Sequence, residues 1–307
     1  MKAVILPAFG GADALVLRDV PDPPAPGPGA IKVRVVAASL NPVDWKLRSG
    51  ALQSLMPLEL PAILGRDVAG TVIEVGPGVQ GFRLGEPVMG LVNHGYAELV
   101  VASVDAWAHV PVGLATADAA ALPLVSLTGA QLLEEAIDPR PGDRVLVTGA
   151  LGGVGRAAVY AARVRKATVI AGVRRAQKEA AAKLGVDAVV AIDDDDDVAR
   201  MPELDAIADT VGGDRTLKLI ARLKRGGILG SVVGAPEAAQ AAARERGILV
   251  RTIFTHPDAR RMGELARAAA EGALVIPISR RFPLAMVAEA HAMGEKHGAG
   301  GKLLLMM

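Results

Sequence analysis

The sequence contains no cysteine. This absence excludes disulfide bonds, thiolate nucleophiles and every zinc site built from cysteine. Aromatic residues make up only 3% of the chain, which argues against the stacking platforms that bind single-stranded nucleic acid. The 34 basic and 33 acidic residues nearly cancel, so charge favours neither nucleic acid nor a membrane surface. No apolar run approaches the roughly 20 residues that span a bilayer.

The chain does have enough length and apolar content for two domains. It has 307 residues, of which 51% are hydrophobic, so a large core can form. The start, Met1-Lys2 followed by an apolar stretch, resembles a signal peptide, but Gly10, Gly11 and Asp13 interrupt it early. A first β-strand is the better interpretation. We therefore expect a cytoplasmic protein with no membrane and no nucleic-acid partner.

Short strands separated by turns are predicted for the first 120 residues or so. Hydrophobic and polar residues alternate over residues 31–37, which is typical of a half-buried strand. Further strand-like segments are residues 4–6, 14–20, 68–75 and 98–101. This spacing predicts a compact, barrel-like β domain.

Strands and helices alternate after Thr116. Residues 118–135 are predicted to form a helix, followed by strands over 144–148, 167–171, 187–192, 205–209, 227–233 and 248–253, with helices over 153–164 and 177–184. Such alternation predicts a parallel sheet covered by helices on both faces. Residues 275–278 and 302–305 are strand-like again, and we expect this tail to return to the first domain. The five aspartates at 193–197 are interpreted as a solvated loop rather than a metal site.

A glycine-rich turn is the strongest motif. Residues 145–155 read Val-Leu-Val-Thr-Gly-Ala-Leu-Gly-Gly-Val-Gly, a buried strand that runs into a turn and then a helix. Glycine lets the backbone approach a pyrophosphate, and a helix N-terminus directs N–H groups at it. In this strand–turn–helix context the motif predicts a dinucleotide site. Its predicted cofactor-binding residues are Gly152, Gly153, Val154 and Gly155.

The segment after the next strand indicates which dinucleotide binds. An NAD site usually has an acidic residue there, but residues 172–178 contain none. They contain Arg174, Arg175 and Lys178 instead, which favour the 2′-phosphate of NADPH over NADH. The alternative is that these three are ordinary surface charges.

The same glycines also fit a short-chain dehydrogenase turn, but the rest of the sequence does not. That family needs a tyrosine followed by lysine four positions later, whereas Tyr96 and Tyr160 are followed there by Val100 and Val164. The turn would also stand near the N-terminus, and here more than 140 residues precede it.

Several motifs in order resemble the zinc-independent quinone oxidoreductase branch (zeta-crystallin-like, with the enone reductases) of the medium-chain dehydrogenase/reductase superfamily. They are Ser-Leu-Asn-Pro-Val-Asp-Trp-Lys at 39–46, Leu-Gly-Arg-Asp-Val-Ala-Gly at 64–70, Phe-Arg-Leu-Gly-Glu-Pro-Val at 82–88, Gly-Tyr-Ala-Glu at 95–98 and Gly-Gly-Lys at 300–302. The resemblance implies an α/β fold, a Rossmann doubly wound parallel sheet plus a GroES-like β-barrel domain. The expected divisions are a GroES-like domain over 1–121, a Rossmann domain over 122–256 and a returning segment over 257–307. It also implies an oligomer, and we expect a homodimer.

The resemblance also carries predictions for the site. Asn41 and Arg66 stand where zinc-dependent members have a cysteine and a histidine, so we predict no metal. Asn41 is expected beside the nicotinamide and the substrate carbonyl. We hypothesise that Lys46 hydrogen-bonds that carbonyl and supplies the proton, the alternative being a solvated lysine. Asp44 is expected to orient its neighbours, and Thr128 to contact the carboxamide of nicotinamide or, alternatively, its own helix. Val211, Gly212, Val233 and Gly234 follow sheet strands and are predicted to line the cofactor crevice.

Without a Lewis acid, a conjugated enone or a quinone is an easier hydride acceptor than a simple ketone. The predicted function is therefore metal-free hydride transfer from NADPH to a quinone or an α,β-unsaturated carbonyl compound. Two alternatives stay open. One is an enoyl-thioester reductase, and the other is a non-catalytic member of the fold, crystallin-like or RNA-binding.

Overall fold

The computed structural model describes residues 1–296 and 300–307. It divides the chain into two compact units. Unit 1 contains residues 1–124 and 257–307, and unit 2 contains residues 125–256. The sequence analysis placed these divisions after residues 121 and 256.

The strands are β1 (Lys2–Leu6), β2 (Val16–Asp19), β3 (Ala30–Ser39), β4 (Ala62–Ile63), β5 (Asp67–Val75), β6 (Pro87–Leu91), β7 (Leu99–Ser103), β8 (Trp107–His109), β9 (Arg144–Thr148), β10 (Thr168–Val173), β11 (Ala188–Ala191), β12 (Leu204–Asp209), β13 (Leu223–Ser231), β14 (Leu249–Thr252), β15 (Ile278–Pro283) and β16 (Lys302–Met306). The α-helices are α1 (Pro42–Arg48), α2 (Thr116–Ala119), α3 (Pro123–Gln131), α4 (Gly153–Val164), α5 (Lys178–Ala182), α6 (Asp195–Arg200), α7 (Asp214–Ile220), α8 (Glu237–Glu245), α9 (Ala259–Ala270) and α10 (Val287–Glu295). Short 3₁₀ turns lie at Ala12–Ala14, Val104–Ala106, Arg175–Gln177 and Leu284–Met286, and a π-helical turn at Leu132–Ile137.

Unit 1 is built around two β-sheets. The larger one has the order β15-β16-β3-β5-β6-β8, with β7 also paired to β3, and the smaller one has the order β2-β1-β4. Strand β3 alternates as predicted and buries Ile31, Val33 and Val35 in the core. The register places Ser39 of β3 opposite Asp67 of β5 on one side and opposite Leu304 of β16 on the other. This pairing brings the chain's last strand next to the start of α1.

Unit 2 contains one parallel sheet of six strands in the order β11-β10-β9-β12-β13-β14. The first strand, β9, lies in the middle, and the order runs outward from it in both directions. Alternate residues of β9 enter two different hydrophobic clusters, Val145 and Val147 in one and Leu146 in the other. Both faces are therefore covered, and the predicted doubly wound fold is confirmed.

Three local predictions were wrong. The single helix expected over residues 118–135 is interrupted, and α3 begins at Pro123, a residue that needs no backbone donor in a first turn. The aspartates at 193–197 form a loop only as far as Asp194, which accepts the N–H groups of Asp196 and Asp197 and so starts helix α6 at Asp195. The strand expected over residues 275–278 begins only at Ile278.

Helix lengths bear on membrane association. Across residues 1–296 and 300–307, no helix is both long and apolar enough to cross a bilayer.

Candidate active site

The glycine turn of unit 2 joins β9 to α4 as predicted. Gly152 is the N-cap of α4, and because it has no side chain it cannot accept hydrogen bonds from the first helical turn. A β-carbon on Gly155 would lie 2.2 Å from the Gly149 carbonyl oxygen. Gly155 is therefore required for close packing of the helix against the turn, and the helix end stays open to an anionic group.

The carboxyl ends of β9, β12 and β13 meet beside this turn. Asp209 at the end of β12 accepts the Thr148 hydroxyl at 2.7 Å and the N–H groups of Val211 and Gly212 at 3.0 Å. A β-carbon on Gly212 would lie 2.7 Å from Val233. The structure thus brings Val211, Gly212 and Val233 together, with Val211 and Val233 about half exposed. Gly234 follows with φ 78°, a conformation that favours glycine.

Asp209 and Thr148 were missed by the sequence analysis. Both are fully buried or nearly so, and their hydrogen bonds fix the loop after β12. A carboxylate at the last position of a buried strand, followed by Thr210, Val211 and Gly212, is a signal that could have identified this network.

Three predicted phosphate-binding cations follow β10, and the structure gives them different surroundings. Arg174 is exposed, and within the described residues its guanidinium meets only Gln177, with Nε 3.5 Å from Oε1. Arg175 forms an ion pair with Asp194. Lys178 donates to Asp197 at 2.7 Å. The predicted cationic cluster is thus partly neutralised by the aspartate-rich segment.

Thr128 lies on α3 and is 7% exposed. Its hydroxyl is 2.5 Å from the hydroxyl of Thr255, which follows β14. The predicted alternative was a bond to its own helix, whereas this contact joins α3 to the segment after β14. Its contact with a carboxamide stays a prediction.

Unit 1 contains a fully buried polar cluster at the start of α1. Lys302 donates to the Leu40 carbonyl at 2.8 Å and to Asn41 Oδ1 at 2.6 Å, and its Nζ lies 3.4 Å from Asp67 Oδ2. Asn41 Nδ2 donates to Asp67 Oδ2 at 2.8 Å, and so does the Ser39 hydroxyl. Lys302 was quoted in the closing Gly-Gly-Lys motif, but its contact with Asn41 was not foreseen.

The Asn41 side chain is 0% exposed, and its oxygen is occupied by Lys302. One amide hydrogen goes to Asp67, whereas the second reaches only the Ser39 carbonyl at 3.5 Å. An amide nitrogen has two donors, so one of them is nearly unused. The predicted contact of Asn41 with substrate stays a prediction that depends on this second hydrogen.

Asp44 caps helix α1 by accepting the Asn41 N–H at 2.8 Å. This contact fits the orienting role expected of Asp44, which stays a prediction. Burial raises the pKa of Asp44 to about 7, and the nearby Asp67 also raises it. Burial likewise raises the pKa of Tyr96, and the adjacent Asp44 adds to the shift. Burial lowers the pKa of Lys302.

Replacing Asp44 with asparagine is expected to stabilise the protein at pH 8 and to change little at pH 4. Asparagine keeps the acceptor for the Asn41 N–H. In the wild type, the unfolded chain loses its Asp44 proton near pH 4, whereas the folded state keeps it until about pH 7. The folded state thus binds the extra proton between these values, so wild-type stability falls as pH rises there.

Urea unfolding at pH 4 and pH 8 measures this effect through tryptophan fluorescence, since both tryptophans, Trp45 and Trp107, lie in unit 1. Asp105→Asn, at an exposed position of the same unit, is the matched control. An equal pH response of Asp44→Asn and wild type would contradict the assignment.

Lys46 projects from α1 and is exposed. Among the described residues it forms no ion pair and no side-chain hydrogen bond. Its ammonium group is therefore available to an incoming acceptor, which fits its predicted role and does not test it.

Comparison with known proteins places these features in a family. Residues 27–112 match the family described as an alcohol dehydrogenase GroES-like domain, and residues 184–305 match the family described as a zinc-binding dehydrogenase. The structure of the quinone oxidoreductase from Coxiella burnetii is 31% identical, with a TM-score of 0.88 over 100% of this chain and 99% of that chain. The chain belongs to the quinone oxidoreductase branch of the medium-chain dehydrogenase/reductase superfamily. The resemblance seen in the sequence is confirmed.

Other members of this superfamily match as well. Escherichia coli quinone oxidoreductase, solved in complex with NADPH, is 25% identical with a TM-score of 0.88 and full coverage of both chains. The chloroplast envelope quinone oxidoreductase homolog of Arabidopsis thaliana is 37% identical over 190 residues, which are 59% of this chain and 57% of that protein. The match spans little more than half the length of such curated relatives, 52% to 60%.

One of the two matching families is described as a zinc-binding dehydrogenase, which raises the question of a zinc site in this chain. This chain has no cysteine that could bind zinc. Over residues 1–296 and 300–307, no group of three or more His, Asp or Glu residues is arranged to hold a metal ion. The absence of zinc stays a prediction that depends on the residues at positions 41 and 66.

Proposed function

We propose that this protein is an NADPH-dependent oxidoreductase that transfers a hydride to a quinone or an α,β-unsaturated carbonyl compound. One observation carries the proposal. The open glycine turn between β9 and α4 lies beside β10, which ends at Val173 and is followed directly by Arg174 and Arg175, with no acidic residue over 172–178. Family membership supports an oxidoreductase reaction. The substrate class and the choice of NADPH are what we propose in addition.

The residues of unit 2 fit a dinucleotide. Gly152, Gly153, Val154 and Gly155 would hold the pyrophosphate at the uncapped helix end. The crevice beyond β12 and β13 would take the nicotinamide half, with Thr128 as the proposed carboxamide contact. Arg174 would bind the 2′-phosphate. When bound, NADPH supplies the hydride.

The residues of unit 1 are proposed to serve the substrate oxygen. Addition of hydride to a conjugated acceptor moves charge to an enolate or phenolate oxygen, which hydrogen-bond donors stabilise. Lys46 is proposed as the main donor and as the proton source, because its ammonium group is exposed and uncommitted among the described residues. Asn41 is proposed as a second donor, through the amide hydrogen that otherwise makes only the 3.5 Å contact with the Ser39 carbonyl. Because this side chain is 0% exposed, the contact requires the cluster to shift when substrate binds. Asp44 holds Asn41 by its backbone. This chemistry requires no metal.

We expect calorimetry to detect NADPH binding that is stronger than NADH binding. NADPH oxidation should then proceed with at least one of 1,4-benzoquinone, 9,10-phenanthrenequinone, a short enone or a short enoyl thioester. Turnover confined to the thioester would favour the enoyl-thioester reductase alternative. Binding of neither nucleotide would contradict the proposal and favour a non-catalytic protein.

The same assay examines Lys46. Lys46→Ala is expected to lower enone turnover by about a hundredfold, the lower end of a typical proton-transfer contribution, with NADPH binding retained. Lys183→Ala, at an exposed lysine of unit 2, is the control. Unchanged enone turnover in Lys46→Ala would remove Lys46 from the mechanism.

We also propose that the protein forms a homodimer. Strand β14 is an edge of the parallel sheet, and Leu249 on it and Phe254 just after it are 51% and 73% exposed. Sedimentation velocity measures the oligomeric state directly.

A further inference from the structure

The aspartate-rich segment at residues 193–197 contacts the cations that follow β10. Asp194 forms the ion pair with Arg175, and Asp193 Oδ1 accepts the Arg175 backbone N–H at 2.7 Å. Asp197 accepts from Lys178 at 2.7 Å. These acids come from the segment after β11, the strand that pairs with β10. Two of the three proposed 2′-phosphate ligands therefore already have carboxylate partners.

The acids are held in place by the local fold. Asp194 caps α6 through Oδ1, which accepts from Asp196 and Asp197 at 3.0 Å and 3.2 Å. Asp195 is fixed separately by Lys218 at 2.6 Å and Arg215 at 3.1 Å. The carboxylates of Asp194 and Asp195 are thus held in fixed positions by hydrogen bonds and ion pairs.

We propose that Asp194 and Asp197 compete with the 2′-phosphate of NADPH for Arg175 and Lys178, and so limit the preference of this protein for NADPH over NADH. The inference rests on the proposed function. It assigns Asp194 and Asp197 as specificity-determining residues that act through the two cations, with Arg174 as the cation that no carboxylate neutralises among the described residues.

The competition follows from charge and exposure. A 2′-phosphate brings up to two negative charges, and a carboxylate a few ångströms away repels it. The Arg175 side chain is 74% exposed, whereas Asp194 is 10% exposed, so the guanidinium can leave the carboxylate on its solvent side and the ion pair can be exchanged. The phosphate still binds, but each carboxylate–cation pair that it must break reduces the net free energy of its binding. 5′-AMP lacks the 2′-phosphate and is not subject to this loss.

Asp194→Asn isolates the effect. Asparagine is as good an N-cap as aspartate, so helix α6 keeps its start while the charge on residue 194 is removed. Asp196→Asn is the matched control, because it removes the same charge from the same segment at an exposed residue whose side chain has no cation partner in the described part of the chain. The 307-residue chain is titrated by calorimetry with 2′,5′-ADP and with 5′-AMP, which differs from it only by the 2′-phosphate.

We expect Asp194→Asn to bind 2′,5′-ADP about fivefold more tightly, the upper end for a surface ion pair, and 5′-AMP as wild type does. Asp196→Asn should resemble wild type with both probes. In an Arg175→Ala background, the gain from Asp194→Asn should disappear, which a purely structural effect of residue 194 would not do.

The outcomes separate the inference from the proposed function. If wild type binds 2′,5′-ADP more tightly than 5′-AMP, and Asp194→Asn shows the same two constants as wild type, the inference is wrong and the proposed NADPH site stands. An equal gain in Asp196→Asn also overturns the inference, because then only net charge matters. If neither wild type nor Asp194→Asn prefers 2′,5′-ADP, both the NADPH site and the inference fail.

Discussion

Gly155→Ala is expected to abolish nucleotide binding and to lower the free energy of unfolding by about 2 to 3 kcal/mol, as overpacking of a tight contact does. The added β-carbon would lie 2.2 Å from the Gly149 carbonyl oxygen and 2.8 Å from the Ala150 α-carbon. Both are backbone atoms that cannot rotate away. Helix α4 must therefore move from the turn, and the N–H groups at its start move with it. Calorimetric titration with NADPH and thermal unfolding by circular dichroism measure the two effects.

Gly152→Ala is the matched control for this substitution. It adds the same atom to the same turn, but Gly152 has φ −73° and ψ 165°, which any residue adopts. Its β-carbon would lie 3.3 Å from the Gly149 oxygen, so a small adjustment suffices and we expect a stability loss below about 1 kcal/mol. Equal losses in both variants would show that helix–turn packing is not what requires Gly155.

Lys302→Met is expected to lower the free energy of unfolding by about 3 to 5 kcal/mol, the usual cost of removing one partner of a buried ion pair. Methionine fills a similar volume, but the Leu40 carbonyl and the Asn41 oxygen lose their donor. Asp67 keeps the Ser39 and Asn41 donors but loses its cation. Asp67 is 0% exposed and would remain as an uncompensated buried charge. Urea unfolding followed by tryptophan fluorescence reports this loss, because both tryptophans belong to unit 1.

Two variants distinguish the charge effect from a general loss of packing. Lys302→Met combined with Asp67→Asn should recover part of the stability, since no unpaired charge remains. Lys46→Met changes an exposed lysine on α1 and should alter stability by less than about 0.5 kcal/mol. No recovery in the double variant would mean that the hydrogen bonds of Lys302, rather than its charge, stabilise the cluster.

The fold was largely predictable because its periodicities are local. Alternating burial identified β3, and the succession of strands and helices after Thr116 predicted the doubly wound sheet. The sequence analysis gave no range for α1, α7, α8, α9 or α10, and α1 and α9 show why. Helix α1 has only seven residues, too few for a periodic pattern to be recognised, and the buried side of α9 is half alanine, as its buried residues are Met262, Leu265, Ala266 and Ala268, which gives a weak signal.

The site divides in the same way. The sequence by itself determined the glycine turn and the basic end of β10, because a strand–turn–helix motif and the residues just after a strand are consecutive in the chain. Only the tertiary structure decided that Lys302 binds Asn41, 261 positions away, and that Asp194 and Asp197 neutralise Arg175 and Lys178. These contacts depend on which strands pair, β16 with β3 and β11 with β10. Strand pairing depends on burial of the whole sheet, and the spacing of residues along the chain does not by itself show which strands pair.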